Sequence, residues 1–124
     1  MKPTFALGVS YSQTKRSADS EAAFRKYLSF QPLSADGHSG LGVLLFETGR
    51  RADALKELRR SLEIDPKQPE TRKALARVHF ANNDYANCLL EGEQALALDP
   101  NSDAEFYAML ATSKFKLGEK DKAP

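Results

Sequence analysis

The side chains best equipped for chemistry in this 124-residue chain are His38, His79, the single cysteine Cys88, and the neighbouring carboxylates Glu57 with Glu63 and Glu91 with Glu93. A histidine set against a carboxylate or thiol could do general acid–base or nucleophilic work. A cluster of Cys and His could hold zinc. The spacing supports neither. The histidines are far apart in sequence, and the lone cysteine can form no internal disulfide and joins no zinc-ligand cluster. The acidic pairs fall on or near solvated helix faces rather than facing one another. Gly37, Gly40 and Gly42 lie at or within the start of a helical segment, with no lysine following as a phosphate-cradling loop requires. No catalytic residue, cofactor or metal is expected, and the chain is not expected to be an enzyme.

Charge and hydropathy remove further classes. Eighteen Lys and Arg against seventeen Asp and Glu leave a net charge of +1, which supplies no general attraction to nucleic acid or an anionic membrane. The longest apolar stretches, such as Leu41 to Phe46, fall far short of a membrane span. The start of the chain, from Pro3 to Ser10, turns polar too quickly for a secretory signal. A cytoplasmic protein without membrane insertion is expected. A chain of this length buries roughly two-thirds of its unfolded surface, enough for a core without disulfides or metals.

The elements that position these residues repeat. Proline recurs at Pro32, Pro66 and Pro100, 34 residues apart, with Leu28, Leu62 and Leu96 four before and Phe30, Ile64 and Leu98 two before. The same shift aligns Leu7, Leu41 and Leu75, then Gly8, Gly42 and Ala76, then Tyr11, Leu45 and His79. This is the length of a helix-turn-helix repeat. His79 therefore falls on a core position and reads as a packed histidine. Cys88 matches Ser20 and Ala54, where a small side chain must fit between helices, and reads as a small buried hydrophobe.

Each repeat divides into two helical segments. Gly40 to Glu47 places Leu41, Leu44 and Leu45 at helical spacing before Thr48-Gly49, and Ala52 to Ile64 sets Ala54, Leu55, Leu58 and Leu62 against Lys56, Arg59 and Arg60. Asp65-Pro66 stops that helix, because the residue before proline is pushed out of the helical region. The third repeat runs Thr71 to Ala81, turns at Asn82-Asn83-Asp84 with Asp84 as cap, and continues Tyr85 to Leu98. In the first repeat the turn is expected at Gln13 to Arg16, before a second helix from Ala18 to Phe30. A 35-residue shift then aligns Leu75 with Leu110 and Ala76 with Ala111, so Ala104 to Leu117 reads as a seventh helix capped at Ser102 or Asp103, ending before Gly118.

With these prolines, leucines, small and aromatic positions in step, the chain resembles the tetratricopeptide-repeat family over almost its whole length. The resemblance implies an all-α, right-handed superhelical stack of antiparallel helix pairs, about three and a half repeats and seven helices. It sets one domain over residues 1–124, with repeats at about 1–34, 35–68 and 69–102 and a half repeat at 103–124. No tryptophan opens any repeat, His38 and Arg72 standing there instead. Gly92 sits where Phe24 and Leu58 supply bulk; a mid-helix glycine costs about 1 kcal/mol relative to alanine, which makes that helix the weakest of its kind.

What the family implies about function is binding of a partner protein or peptide along the concave face, in a scaffold or adaptor role. That face is lined mainly by the first helix of each repeat. The shift assigns to it Phe5, Val9 and Ser12, then Ser39, Val43 and Phe46, then Lys73, Arg77 and Phe80, then Ala108, Thr112 and Phe115. Phe46, Phe80 and Phe115 form a row in this reading, with Lys73 and Arg77 a cationic spot beside them; the competing reading sinks the phenylalanines between helices as ordinary core. The clamp by which family members hold the acidic tails of heat-shock chaperones has no match, since its places are taken by Phe5, Val9, Gly40, Glu70 and Ala74. The alternatives are a recognition segment of a larger enzyme or a self-assembling array. In the last helix Phe106, Met109, Leu110, Ser113 and Leu117 include residues with no second helix to bury them, which marks it as a docking point for further chain or for self-association.

Overall fold

The computed structural model describes the backbone of residues 2–122 and the side chains of residues 16–118. Six helices follow one another: α1 Lys2–Phe30, α2 Ala35–Glu47, α3 Arg51–Ile64, α4 Pro69–Ala81, α5 Tyr85–Leu98 and α6 Ala104–Lys122. The antiparallel pairs α2/α3 and α4/α5 stack in sequence, with α1 against α2 at one end and α6 against α5 at the other. The result is an all-α, right-handed superhelical stack.

Caps set most of these boundaries. Ser34 accepts from the Gly37 amide at 3.0 Å, which starts α2 five residues earlier than the leucine pattern alone places it. Asp84 accepts from the Asn87 amide at 3.3 Å and opens α5, and Asp103 rather than Ser102 caps α6 through the Phe106 amide at 2.9 Å. Pro69 occupies the first turn of α4, where its missing N–H costs nothing.

The expected seventh helix is not formed, because the first repeat has no turn at Gln13 to Arg16; α1 runs through that segment unbroken. The α2–α3 turn puts Gly49 at φ 86°, and the α4–α5 turn puts Asn83 at φ 61°. These are the same repeat position. Lys15 stands there in the first repeat, and a side chain such as lysine gives up roughly 1–2 kcal/mol in the left-handed region. Gln13, Lys15 and Arg16 are also good helix formers. At the other end α6 continues through Gly118 to Lys122 instead of stopping at Leu117.

Two clusters make the core. Leu41, Leu45, Ala54, Leu58, Ala74, Leu75 and Val78 join α2, α3 and α4, with Phe24, Leu28, Phe46, Leu55 and Leu62 packed on them. Ala76, Cys88, Phe106 and Leu110 join α4, α5 and α6, flanked by Phe80, Leu89, Leu96 and Met109. Glycines mark close approaches of the helices, Gly40 to the Phe24 ring among them. A Cβ at Gly42 would stand 2.7 Å from Leu58 Cγ, and one at Gly92 would run into the Leu110 side chain. The bulk that Phe24 and Leu58 provide in their helices is thus supplied at Gly92 from outside, by α6.

Candidate functional site

The first helices of successive repeats lie side by side. Ser39 on α2 and Thr71 on α4 share a hydroxyl hydrogen bond of 2.8 Å, and α4 meets α6 through Lys73 and Arg77 over the Phe106 ring, at 5.9 and 5.4 Å. Along this face the repeat spacing generates three rows: Ser39, Lys73 and Ala108; Val43, Arg77 and Thr112; Phe46, Phe80 and Phe115.

In the first row two of the three side chains are engaged inside the protein, and only Ala108 is exposed. Lys73, expected as half of a cationic spot, is only 4% exposed. Its ammonium donates to the Asn101 carbonyl at 2.7 Å and lies 3.5 Å from Glu70, so it ties α4 to the loop before α6. Ser39 is spent on Thr71. The second row is open: Val43, Arg77 and Thr112 are all exposed, and among the described residues Arg77 has no carboxylate partner. The third row divides. Phe46 and Phe80 are half-buried against the two core clusters, Phe80 meeting Tyr85 edge-on at 5.8 Å, whereas Phe115 is 64% exposed. The exposed part of this face is therefore less aromatic than the spacing suggests, and of the two cations expected on it only Arg77 is exposed. The side chains of Phe5, Val9 and Ser12 lie outside the described residues.

The residues that could do chemistry are occupied otherwise. His79 is buried beside Asp84, 3.6 Å from Nδ1, and burial holds its imidazole below the ordinary range while the Asp84 carboxylate opposes that shift. Cys88 is fully buried, with Ser113 Oγ 3.4 Å from its sulfur; burial pushes the thiol pKa up. Among the described residues no three His, Cys, Asp or Glu side chains are placed to hold a metal ion, and no helix is long and apolar enough to cross a membrane.

His38 belongs to a repeated staple that single-residue reasoning missed. Its Nδ1 lies 2.7 Å from Glu57 on α3 and its Nε2 lies 2.9 Å from the Pro32 carbonyl. One repeat on, Arg72 donates to Glu91 at 2.8 Å and to the Pro66 carbonyl at 3.2 Å. In the half repeat Tyr107 donates to the Pro100 carbonyl at 2.7 Å. Each side chain pins the start of one repeat to the proline that ends the last. The signal was present, since the prolines, His38 with Arg72, and Glu57 with Glu91 all keep the 34-residue spacing. In α6, Phe106, Leu110 and Ser113 turn into α5, which gives most of the helix's apolar face a partner; Tyr107 and Phe115 stay exposed.

Comparison with known proteins agrees with this architecture. The tetratricopeptide-repeat profile matches residues 5–69, just over half of the sequence. The chain belongs to the tetratricopeptide-repeat family. Three solved structures share the fold. MamA aligns with a TM-score of 0.77 at 23% identity, covering 89% of this chain and 64% of that one. The first tetratricopeptide domain of Spaghetti (RPAP3), bound to the HSP90 peptide SRMEEVD, aligns at 0.78 and 15% identity, covering 90% and 87%. The tetratricopeptide domain of Sgt2 from Aspergillus fumigatus aligns at 0.78 and 18%, covering 95% and 79%. The chain thus spans less than two-thirds of the MamA structure. No curated protein sequence matches it.

Proposed function

We propose that residues 1–124 act as a single array that binds a partner protein segment along the row Val43, Arg77 and Thr112, bounded by Phe46 and Phe80 and closed at one end by Phe115. The observation that carries this reading is Arg77: a guanidinium stacked on Phe106, exposed, without a carboxylate of its own among the described residues, and flanked by apolar side chains. An acidic side chain of the partner pairs with it, and apolar anchors settle against Val43 and Phe115. The Spaghetti domain, which holds a peptide on the same fold, lends this support by analogy. The chain lacks the Lys/Asn clamp for chaperone tails, so its ligand differs from those tails. The role is that of a scaffold or adaptor rather than an enzyme.

The test uses substitutions at exposed positions, so that folding and binding separate. Arg77→Glu together with Val43→Glu should leave helicity and thermal midpoint nearly unchanged while removing partners recovered from the source organism's extract and then rebound in purified form. Wild-type association should slow as salt rises, because an acidic partner is steered to Arg77. Binding indifferent to both substitutions and to salt overturns the assignment.

A further inference from the structure

At the open end of the stack Ser20, Ala23, Phe24 and Tyr27 of α1 and Asp36 and Gly37 of α2 line a cleft of about 410 Å³, mostly apolar. The repeat register shows what is missing from it. In α3 the positions Ala54, Leu58 and Ser61 are buried, and in α5 the positions Cys88, Gly92 and Ala95 are buried. Their counterparts 34 residues earlier are Ser20, Phe24 and Tyr27, and Tyr27 is 48% exposed. The inner helices are covered on two sides, by the helix that precedes them in their own pair and by the next repeat. The second half of α1 has only the later cover, with Phe24 against Gly40 and with Tyr27 and Leu28 against Gly37. It is fixed there by Arg50, whose two terminal nitrogens donate to the Glu21 carboxylate at 2.7 and 2.9 Å.

The segment that fits the vacant side is set by the same register. Helix α2 covers α3, and its counterpart is residues 1–13, in which Leu7, Gly8 and Tyr11 match the core residues Leu41, Gly42 and Leu45. Because α1 is continuous from Lys2 to Phe30, residues 2–13 extend along the helix axis beyond the cleft and do not fold back onto it. We propose that the cleft is filled by residues 2–13 of a second copy of this chain, the two copies exchanging their N-terminal segments about a two-fold axis so that each completes the first repeat of the other. The exchanged segment brings the contacts the inner repeats already make, so complementarity follows from the repeat itself.

A designed crosslink tests this in the full chain. His38 faces Glu57 and Arg72 faces Glu91, at 2.7 and 2.8 Å, and the equivalent pair in the first repeat is Thr4 and Ala23. Thr4→Cys with Ala23→Cys, in a Cys88→Ala background, should be joined by a short bis-maleimide, which spans the gap that the two long side chains of the inner pairs fill, into a covalent dimer on denaturing electrophoresis. Light scattering across a concentration series should show wild-type dimer. Lys15→Gly, which admits the left-handed turn used at Gly49, should shift that dimer to monomer at least several-fold. Circular dichroism confirms that each variant is folded. An internal crosslink in a monomer, showing that the chain fills its own cleft, overturns the proposal, as does a folded cysteine variant that forms no crosslink or a wild-type chain that stays monomeric.

Discussion

The two ends of the stack are finished in opposite ways. At the C-terminal end the exposed face of α6 is mixed: Lys114 stands where the inner repeats place Leu45 and His79, and Ala111 where they place Gly42 and Ala76, beside the exposed Tyr107 and Phe115. Its apolar residues Phe106 and Leu110 are spent on α5, with Leu110 filling the space over Gly92. At the N-terminal end the second half of α1 keeps Phe24 and Tyr27, residues of core type, beside an open cleft. A repeat helix that faces water needs polar side chains on that face; α6 supplies some of them, whereas the second half of α1 keeps residues of core type beside its cleft.

The sharpest test of that difference compares one repeat position in two places. Leu58 is fully buried between α2 and its neighbours, so Leu58→Ala should cost about 2–5 kcal/mol in chemical denaturation. Phe24 is covered on one side only, and Phe24→Ala should cost clearly less than the 3–5 kcal/mol typical of a buried phenylalanine. Equal losses at the two sites would mean that the N-terminal end is as fully packed as the middle.

The third occurrence of the position probes the finished end. Gly92→Leu restores the residue found at 58 but drives it into Leu110, so it should destabilise by about 1–3 kcal/mol and release α6 first, seen as lost hydrogen-exchange protection across Ala104–Leu117 with α2 and α3 still protected. A stabilised protein would show instead that Gly92 is a weak point in its helix, as its propensity alone suggests.

Much of this was legible because the repeat writes its boundaries into single residues. Asp84 and the proline at 100 bracket α5, and the predicted Tyr85 to Leu98 is the observed helix. His79 and Cys88 were legible as core because the inner repeat carries Leu45 and Ala54, both buried, at the same two positions. Three features were not. The continuity of α1 depends on the lack of a residue that accepts positive φ at position 15, an absence that the period itself conceals. Lys73 reads as an exposed groove cation because its register is that of the groove; its long side chain instead reaches the Asn101 carbonyl, which tertiary packing alone puts there. Phe46 and Phe80 share a row with Phe115 by spacing, yet the first two settle against the core clusters while Phe115 stays exposed on α6.

A smaller effect is expected at Cys88, on the α5–α6 contact. Cys88→Ala places the residue of position 54 at the equivalent site and should change stability by about 1 kcal/mol or less, whereas Cys88→Leu should overpack Ser113 and cost about 1–3 kcal/mol. The native thiol should label slowly with a thiol reagent and quickly in denaturant, since burial disfavours the thiolate. Fast labelling of the folded protein would mean that α6 opens readily and that the C-terminal end is no better closed than the other.

The smallest expected effect is a pH slope at His79. Burial lowers the folded-state pKa of this imidazole, against the pull of Asp84, so the unfolded chain takes up its proton first as the pH falls. Where the unfolded state binds more protons, stability drops with falling pH. The contribution of His79 is thus fully present near pH 8 and declines as the pH passes through the ordinary imidazole range, about pH 6.5. Further into acid a separate loss begins, as Glu21, whose pKa Arg50 and Arg25 lower, and Asp84, whose pKa the Asn87 side chain lowers, take up protons. His79→Leu installs the side chain that the preceding repeat carries at Leu45. It should flatten the stability profile between about pH 7 and 5, with a smaller change in the acid limb because His79 is one of the groups that lower the pKa of Asp84. Parallel profiles would mean that His79 titrates alike in the folded and unfolded chain, and that its imidazole is reached by water more freely than its burial shows.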